Sequence, residues 1–213
     1  MNPLKEWHNE TLAAKTVEAL RKNNFQAAYY QTGPEAVAAI LKLIPADATV
    51  GVGGSATVGE LGLTDQLALR GNTVFNHNQP GLDPEQKLEM RRKQLTCDVF
   101  LTSANAITRD GRLVNTDGTG NRVAAMIFGP KQVIVVAGIN KIAGDLAAAE
   151  KRIQTQAAPL NNKRLNLANP CVKTGECMDC QGPTRICNVT TVMHRRPSLT
   201  AMQVIIVGED LGY

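Results

Sequence analysis

Aromatic side chains are scarce in this sequence. One tryptophan, three tyrosines and four phenylalanines make up 4% of the 213 residues, whereas 43% of all residues are hydrophobic. A folded core would therefore consist mainly of aliphatic side chains, and a chain of this length can bury one such core. These proportions exclude a disordered chain and predict one globular domain over residues 1–213.

The sequence also lacks a hydrophobic run of membrane-spanning length. Its first twenty residues carry charges at Lys5, Glu10, Lys15 and Glu18, so they contain no apolar segment of the kind that a secretory signal requires. We therefore expect a cytoplasmic protein. Its cysteines would be reduced thiols, metal ligands or redox groups rather than structural disulfides.

Neither sign of charge is in large excess. The formal net charge is +4, from 23 basic and 19 acidic residues, and the basic residues are dispersed apart from short clusters at 91–93 and 195–196. This distribution does not make the basic surface that nucleic acids select, so we expect no nucleic-acid partner. A small anionic ligand is compatible with it.

Hydrophobic spacing predicts alternating helices and strands. The N-terminal segment 1–30 is predicted to be largely helical, with Leu4 and Trp7 on the apolar face of an amphipathic helix. β-branched runs at 132–137 and 202–208 show no polar alternation, which is typical of strands buried on both faces of a parallel sheet. The sequence thus predicts an α/β fold: a mostly parallel, Rossmann-like sheet with helices on both faces.

A glycine-rich turn in the middle of the chain is the most distinctive feature. Residues 112–115 are predicted to form a strand of the parallel sheet, and 121–128 a helix that Gly129 ends. The turn between them contains Asp117, Gly118, Thr119, Gly120, Asn121 and Arg122. Such strand-to-helix turns hold ligands in α/β sheets, and these groups suit an anion. In a purely structural interpretation, Asp117 and Asn121 only cap the helix.

A second turn, at residues 51–60, repeats the arrangement of strand, glycines and helix. Small residues at Gly53, Gly54 and Ser55 would let backbone amides approach a ligand closely, and Glu60 falls in the following helical turn. The spacing matches neither a Walker loop nor a dinucleotide fingerprint. A tight turn that serves only packing explains the pattern as well.

Three further residues are interpreted mainly as structural. His77 ends a predicted strand and could face a cleft, although a lone histidine is more often a local hydrogen-bonding residue. Lys141 follows the strand at 132–137, and a solvated surface lysine is the simpler interpretation. Pro159 is predicted to end the helix that begins near Ile142.

The segment 170–188 is a cysteine-rich loop marked by glycine and proline. It contains Cys171, Cys177, Cys180 and Cys187. Four thiolates suit structural zinc or an iron–sulfur cluster, and the CxxC step lets one turn present two sulfurs to one centre. The full spacing is that of neither a ferredoxin nor a zinc ribbon. A redox or disulfide pair and unpaired loop thiols are therefore kept as alternatives.

These motifs together resemble the LUD-domain family, the lactate-utilisation proteins. The resemblance is carried by Val50-Gly-Val-Gly-Gly-Ser, Asn115-Thr-Asp-Gly-Thr-Gly-Asn-Arg, Val135-Val-Ala-Gly-Ile-Asn-Lys, Gly175-Glu-Cys-Met-Asp-Cys and Arg185-Ile-Cys-Asn. It extends over nearly the whole chain. It implies a fold similar to the superfamily of ribose-5-phosphate isomerase, glucosamine-6-phosphate deaminase and the CoA transferases.

The same resemblance implies a role in the oxidation of L-lactate to pyruvate. The chain would be one component of a multi-protein iron–sulfur system, with other lactate-utilisation subunits as partners. It lacks the ferredoxin-like cysteine repeat of the longer member of that system. Catalysis, substrate binding and scaffolding by this chain are therefore all open, and a homo-oligomer is among the assemblies considered.

Our first hypothesis is an anion site between the two glycine turns. Arg122 would pair with the substrate carboxylate, backbone amides near Gly54 and Gly120 would hold its oxygens, and Asp117 or Glu60 would orient or deprotonate the hydroxyl. A cluster on the cysteine loop would pass electrons onward. The alternatives are a transferase or isomerase for a phosphorylated or CoA-linked substrate, with Glu60 as nucleophile or base, and a non-catalytic assembly subunit held by zinc.

Overall fold

The computed structural model describes residues 2–213. Within them, ten strands run at Gln26–Tyr30 (β1), Thr49–Val52 (β2), Thr73–Asn76 (β3), Val99–Thr102 (β4), Ala106–Thr108 (β5), Leu113–Asp117 (β6), Gln132–Gly138 (β7), Ile142–Ala143 (β8), Val189–Met193 (β9) and Ala201–Val207 (β10). The α-helices are Pro3–Lys22 (α1), Gly33–Leu43 (α2), Ala56–Glu60 (α3), Leu63–Leu69 (α4), Pro84–Gln94 (α5), Asn121–Ile127 (α6), Leu146–Arg152 (α7), Ala158–Arg164 (α8) and Cys171–Thr174 (α9). A 3₁₀ turn covers Ile139–Lys141, and a π-helical turn covers Ile153–Ala157.

Six strands form a central sheet in the order β1-β10-β7-β4-β2-β3. Every neighbouring pair is parallel; β10, for example, pairs with β7 from Ala201 opposite Gln132 to Val207 opposite Gly138. Strands β7 and β10 lie inside this sheet and are the two unalternating β-branched runs of the sequence. The prediction of an α/β fold with a mostly parallel, Rossmann-like sheet is confirmed.

Both faces of the central sheet are covered, because successive side chains of a strand point to opposite sides. Along β7, Val133 and Val135 pack with residues of α1 and α6. Ile134 and Val136 pack on the opposite face with residues of α2, α3 and α4. The core is therefore two aliphatic layers separated by the sheet, in agreement with the low aromatic content.

A second sheet corrects one prediction. Residues 112–115 were expected in the parallel sheet, but β6 lies in a separate four-stranded sheet of order β8-β5-β6-β9. There β6 pairs antiparallel with both β5 and β9. The short extended run specified a strand correctly, but its partners are set by contacts far away in the sequence.

Two details of the helices also differ from the sequence prediction. Pro159 does not end a helix; α7, the π-helical turn Ile153–Ala157 and α8 follow one another without a break, and Pro159, which has no N–H to donate, lies just after the π-helical turn. Leu4 and Trp7 are 76% and 64% exposed, so the first two turns of α1 do not reach the core. The buried face of α1 begins at Ala13. Within residues 2–213, no helix combines the length and apolar character needed to cross a membrane.

Gly129, between α6 and β7, has a backbone conformation that is difficult for other residues. Its φ is +124°, and an added Cβ would lie 2.2 Å from the Leu95 carbonyl oxygen. We expect Gly129→Ala to lower the free energy of unfolding by about 2 to 3 kcal/mol, measured by urea denaturation.

Gly71→Ala is the matched control for this substitution. Gly71 also has a positive φ, +93°, but a Cβ added there would meet no atom within 4 Å. The free energy of unfolding of Gly71→Ala should fall only by the cost of the backbone strain, about 1 to 2 kcal/mol. An equal loss in both variants would show that the contact with Leu95 is unimportant.

Candidate functional site

A cavity of about 220 Å³ lies where the carboxyl ends of β2 and β4 meet the end of β6. The two glycine turns form opposite parts of its wall. The first contributes Gly54 and Ser55; the second contributes Asp117, Gly118, Thr119, Asn121 and Arg122. The two turns therefore converge, although they leave strands of different sheets.

Three of the candidate residues lie outside the lining of this cavity. Gly53 is buried beneath the first turn, where a Cβ would lie 2.9 Å from the Phe100 ring. Gly120 forms the left-handed start of α6, with φ +87°. Glu60 is exposed, and its carboxylate accepts a 2.6 Å hydrogen bond from the Gly212 N–H. The arrangement thus separates Glu60 from the group of residues that could contact a ligand.

Gly54 lets polar side chains come close to the floor of the cavity. A Cβ at this position would lie 2.8 Å from Asn78 Nδ2 and 3.5 Å from His77 Nε2. Ser55 caps α3, because its hydroxyl accepts a hydrogen bond from the Val58 N–H at 3.2 Å. In this turn, glycine provides space and serine fixes the helix start.

Arg122 reaches into a network of protein acceptors. Its Nη1 donates to the Ser103 carbonyl and, at 2.7 Å, to Asn115 Oδ1, while its Nη2 donates to Asn105 Oδ1 and the Thr116 carbonyl. All four terminal N–H groups thus have protein partners. Arg122 contributes positive charge to the cavity wall, but the N–H groups that would clamp a carboxylate are already engaged.

Asp117 holds the second turn together. One of its carboxylate oxygens accepts from the Gly118 N–H at 2.9 Å, and the other accepts from the Val123 N–H at 3.2 Å. Arg122 Nε lies 3.9 Å from the second oxygen. These contacts match the structural interpretation, in which Asp117 caps α6; its role as a base stays a prediction.

Lys141 corrects the interpretation as a surface lysine. Its residue is only 4% exposed, and it lines the cavity. Its Nζ donates to Thr57 Oγ1 at 2.7 Å and to Ser103 Oγ at 2.9 Å. Burial lowers the pKa of Lys141 to about 7, assisted by the positive charges of Arg152 and Arg122. A protonated ammonium has three N–H donors, so one is left for a ligand.

His77 also lines the cavity, and it is 8% exposed. Gln94 Nε2 lies 3.0 Å from His77 Nδ1. Gln94 Nε2 also donates to the Val52 and Phe75 carbonyls, both at 2.9 Å, so this amide links His77 to β2 and β3. Burial lowers the pKa of His77, with a smaller contribution from Arg91. A lowered pKa favours the neutral imidazole, which carries one N–H donor and one acceptor nitrogen.

The charges around the cavity are unbalanced. Four cationic side chains line it, whereas Asp117 is the single acidic side chain among the described lining residues; the cations are Arg91, Arg122, Lys141 and Arg164. Such an excess favours a negatively charged occupant, particularly where burial weakens solvent screening.

Sequence reasoning gave too little weight to Lys141 and His77. Both follow strands of the parallel sheet: Lys141 comes three residues after β7 ends at Gly138, and His77 follows β3 directly. Ligands in open α/β sheets bind beyond the carboxyl ends of the strands. This position was the signal that could have identified both residues.

The cysteine loop packs against the same turn. The Asn188 N–H donates to the Asp117 carbonyl, and Asn188 Nδ2 donates to the Gly118 carbonyl, both at 3.0 Å. A Cβ on Gly118 would lie 3.2 Å from Ile186 Cα. Ile186 lines both the main cavity and a second, smaller one that Cys171, Cys177, Cys180 and Cys187 also line. The loop thus brings its four thiols together behind one wall of the main cavity.

Comparisons with known proteins agree with this architecture. A crystal structure of a DUF162 family protein from Deinococcus radiodurans is similar, with a TM-score of 0.56 and 16% sequence identity, covering 94% of this chain and 98% of the other. At this identity the likeness concerns the fold. A search among curated protein sequences finds no match. The family model of the LUD domain matches residues 13–207, which is most of the chain. The chain therefore belongs to the LUD-domain family, which is implicated in lactate utilisation.

Proposed function

We propose that this protein binds a small 2-hydroxy or 2-oxo carboxylate, of the lactate and pyruvate type, in the 220 Å³ cavity. The observation that carries the proposal is Lys141. Its ammonium is buried, lines the cavity and hydrogen-bonds only to two hydroxyls, without a carboxylate partner among the described residues. A buried charge without a counter-ion is costly, and an anionic ligand would offset that cost.

The cavity residues divide into two groups in this proposal. Lys141 would donate to the carboxylate of the ligand, and His77 would hydrogen-bond to its hydroxyl or carbonyl oxygen. Arg122 and Asp117 would keep the second turn in place and set the local potential. This differs from the initial hypothesis, in which Arg122 itself paired with the carboxylate, because its terminal N–H groups already donate to protein acceptors.

Membership of the LUD-domain family supports the choice of ligand class. Oxidation of lactate to pyruvate releases two electrons and two protons, so an electron acceptor is required. We propose that other lactate-utilisation subunits accept these electrons and that this chain provides the carboxylate site. Glu60 lies outside the cavity, so no contact favours the transferase or isomerase alternative that used it as nucleophile.

Isothermal titration calorimetry with L-lactate, pyruvate and lactamide tests this function. Lactamide keeps the hydroxyl and the shape of lactate but has no negative charge. We expect both acids to bind at pH 6.5 and lactamide to bind at least about tenfold more weakly, since a hydrogen bond to a charged group contributes about 1.5 to 3 kcal/mol.

Two outcomes would contradict this function. Equal affinity for lactate and lactamide would show that the negative charge of the ligand does not contribute to binding. Absence of binding by both acids, combined with tight binding of inorganic phosphate or a sugar phosphate, would favour the phosphorylated-substrate alternative instead.

A further inference from the structure

The second cavity brings together the four cysteines of the loop. It has a volume of about 20 Å³ and is lined by Cys171, Cys177, Cys180 and Cys187, together with Met178, Asp179 and Arg185. All four thiols are free. The fifth cysteine, Cys97, lies elsewhere in the core, where burial raises the pKa of its thiol to about 11. The four loop cysteines are therefore a separate group that converges on one small space.

The size of this space limits what it can hold. A single water-sized occupant needs roughly 10 to 15 Å³. A cavity of about 20 Å³ thus has room for one ion.

The backbone beside the thiols supplies one hydrogen bond of the kind found at metal–thiolate sites, from the Asp179 N–H to Cys177 Sγ at 3.4 Å. The Cys177 N–H donates to the Gln154 carbonyl at 2.9 Å and ties this part of the loop to the helical run before it. Asp179 has a positive φ of +44°, which turns the chain between the two sulfurs of the CxxC pair. Amide donors to sulfur stabilise the thiolate form that metals require.

Arg185 connects the two arms of the loop. Its Nη1 donates to the Cys180 carbonyl at 2.6 Å and to Asp179 Oδ1 at 2.8 Å, and its Nε donates to the Cys187 carbonyl at 3.0 Å. The guanidinium therefore holds Cys180 and Cys187 in one assembly. Its positive charge would also offset part of the negative charge of four thiolates around a divalent ion.

We propose that Cys171, Cys177, Cys180 and Cys187 bind one tetrahedral metal ion, Zn²⁺ or iron. Within residues 2–213, no three His, Cys, Asp or Glu side chains already stand at metal-coordinating positions. Binding therefore includes closure of the loop between α9 and β9, which contains no helix or strand. Coordination of this type commonly forms together with the local fold, because thiol ligands are rarely preassembled.

The ion would also fix a wall of the ligand cavity. Ile186 is next to Cys187, lines both cavities and packs on Gly118. Asn188, on the other side of Cys187, holds the backbone of Asp117 and Gly118. Tetrahedral coordination of Cys187 would thus position the residues on both sides of it, so the metal site would support the turn that bounds the ligand site.

Metal analysis with native mass spectrometry of the full chain tests the site, after anaerobic purification from zinc-supplemented and iron-supplemented cultures. We expect about one metal ion per chain. Cys177→Ser and Cys180→Ser should lose most of it, and Cys97→Ala, the matched control, should retain it. Because Cys177 is exposed and on the loop, its replacement is not expected to disturb the core.

Cobalt substitution provides a second measurement that does not depend on any variant. Cobalt-loaded wild-type protein should show the intense thiolate charge-transfer absorption of a tetrahedral site. Metal-free protein with four alkylatable thiols, a disulfide between any two of the four, or several irons with sulfide would each overturn the proposal. Metal analysis and cobalt absorption need no carboxylate ligand. A negative result in either is therefore distinct from failure of the proposed function.

Hydrogen exchange measures the connection to the ligand cavity. After metal removal with a chelator, the amide of Asn188 should exchange at least about tenfold faster, because local opening of the loop breaks its hydrogen bond to the Asp117 carbonyl. The amides of β7 in the central sheet are the internal control. Unchanged exchange at Asn188 would show that the metal does not support the wall.

Discussion

Lys141→Met is expected to weaken lactate and pyruvate binding roughly tenfold to a hundredfold. The substitution keeps a long unbranched side chain but removes the ammonium that lies in the cavity beside Thr57 and Ser103. The expected loss corresponds to about 1.5 to 3 kcal/mol for a charged hydrogen bond. Calorimetric titration of both acids at pH 6.5 measures it.

The same variant should keep its stability or gain some. Within residues 2–213, no carboxylate lies at ion-pair distance from Lys141, and the more distant Glu60 offsets only part of the cost of burying its charge. Lys163→Met is the matched control, since Lys163 is an exposed residue of α8 outside the cavity lining. Unchanged affinity in Lys141→Met, or an equal loss in Lys163→Met, would exclude direct contact between Lys141 and the ligand.

The pH dependence of binding gives an independent signature of the same residue. The pKa of Lys141 in the ligand-free protein is about 7, and an anionic ligand favours the protonated form. Affinity should therefore be constant below about pH 7 and fall as the pH rises above it, by up to about tenfold per unit. His77 stays neutral across this window because its pKa is lowered. Lys141→Met should show no such fall.

Stability should change with pH in the opposite direction. The folded pKa of Lys141 lies below that of the unfolded chain, so between about pH 7 and 10.5 the unfolded state binds more protons. The contribution of this residue to the free energy of unfolding therefore rises with pH through that window. Urea denaturation of wild type and Lys141→Met at pH 7 and pH 9 isolates the contribution, because other titrating groups are common to both.

The elements of the fold were predictable where one local signal was sufficient. The β-branched run of β7 indicates a strand buried on both faces, and the glycines at positions 53, 54, 118 and 120 mark the two turns that converge. The pairing of β6 was not predictable in this way, because a five-residue strand with only two apolar residues carries no signal that favours either sheet. Its antiparallel partners, β5 and β9, are decided by tertiary packing.

The functional groups were harder to predict than the fold. Whether Lys141 is buried depends on Thr57 and Ser103, which lie 84 and 38 residues away in sequence. The role of Arg122 depends on Ser103 and Asn105, which lie in the loop after β4. Composition and spacing identify a residue and the turn that contains it. The groups that hydrogen-bond to its side chain lie on other elements, and they decide which of its donors remain free for a ligand.

Arg122→Met is expected to lower the free energy of unfolding by about 3 to 5 kcal/mol. The guanidinium is largely buried, with 15% of its side chain exposed, and it satisfies two carbonyls and two amide oxygens. Its removal breaks all four hydrogen bonds of this buried network and takes away the cation beside the Asp117 carboxylate, which keeps only its two backbone N–H donors. Arg122→Lys should recover only part of the loss, since one ammonium cannot reproduce the planar fork of donors.

Arg112→Met is the matched control, because it removes an arginine charge without breaking the hydrogen-bond network of Arg122. Arg112 adjoins the same strand, β6, but its ion pair with Asp110 is partly exposed, so its replacement should cost less than about 1 kcal/mol. Urea denaturation followed by circular dichroism compares the two variants. If Arg122→Met were as stable as Arg112→Met and lost only lactate affinity, Arg122 would be a direct ligand contact. A large loss of stability would instead place it in the scaffold that holds the second turn, with Lys141 as the cation that meets the ligand.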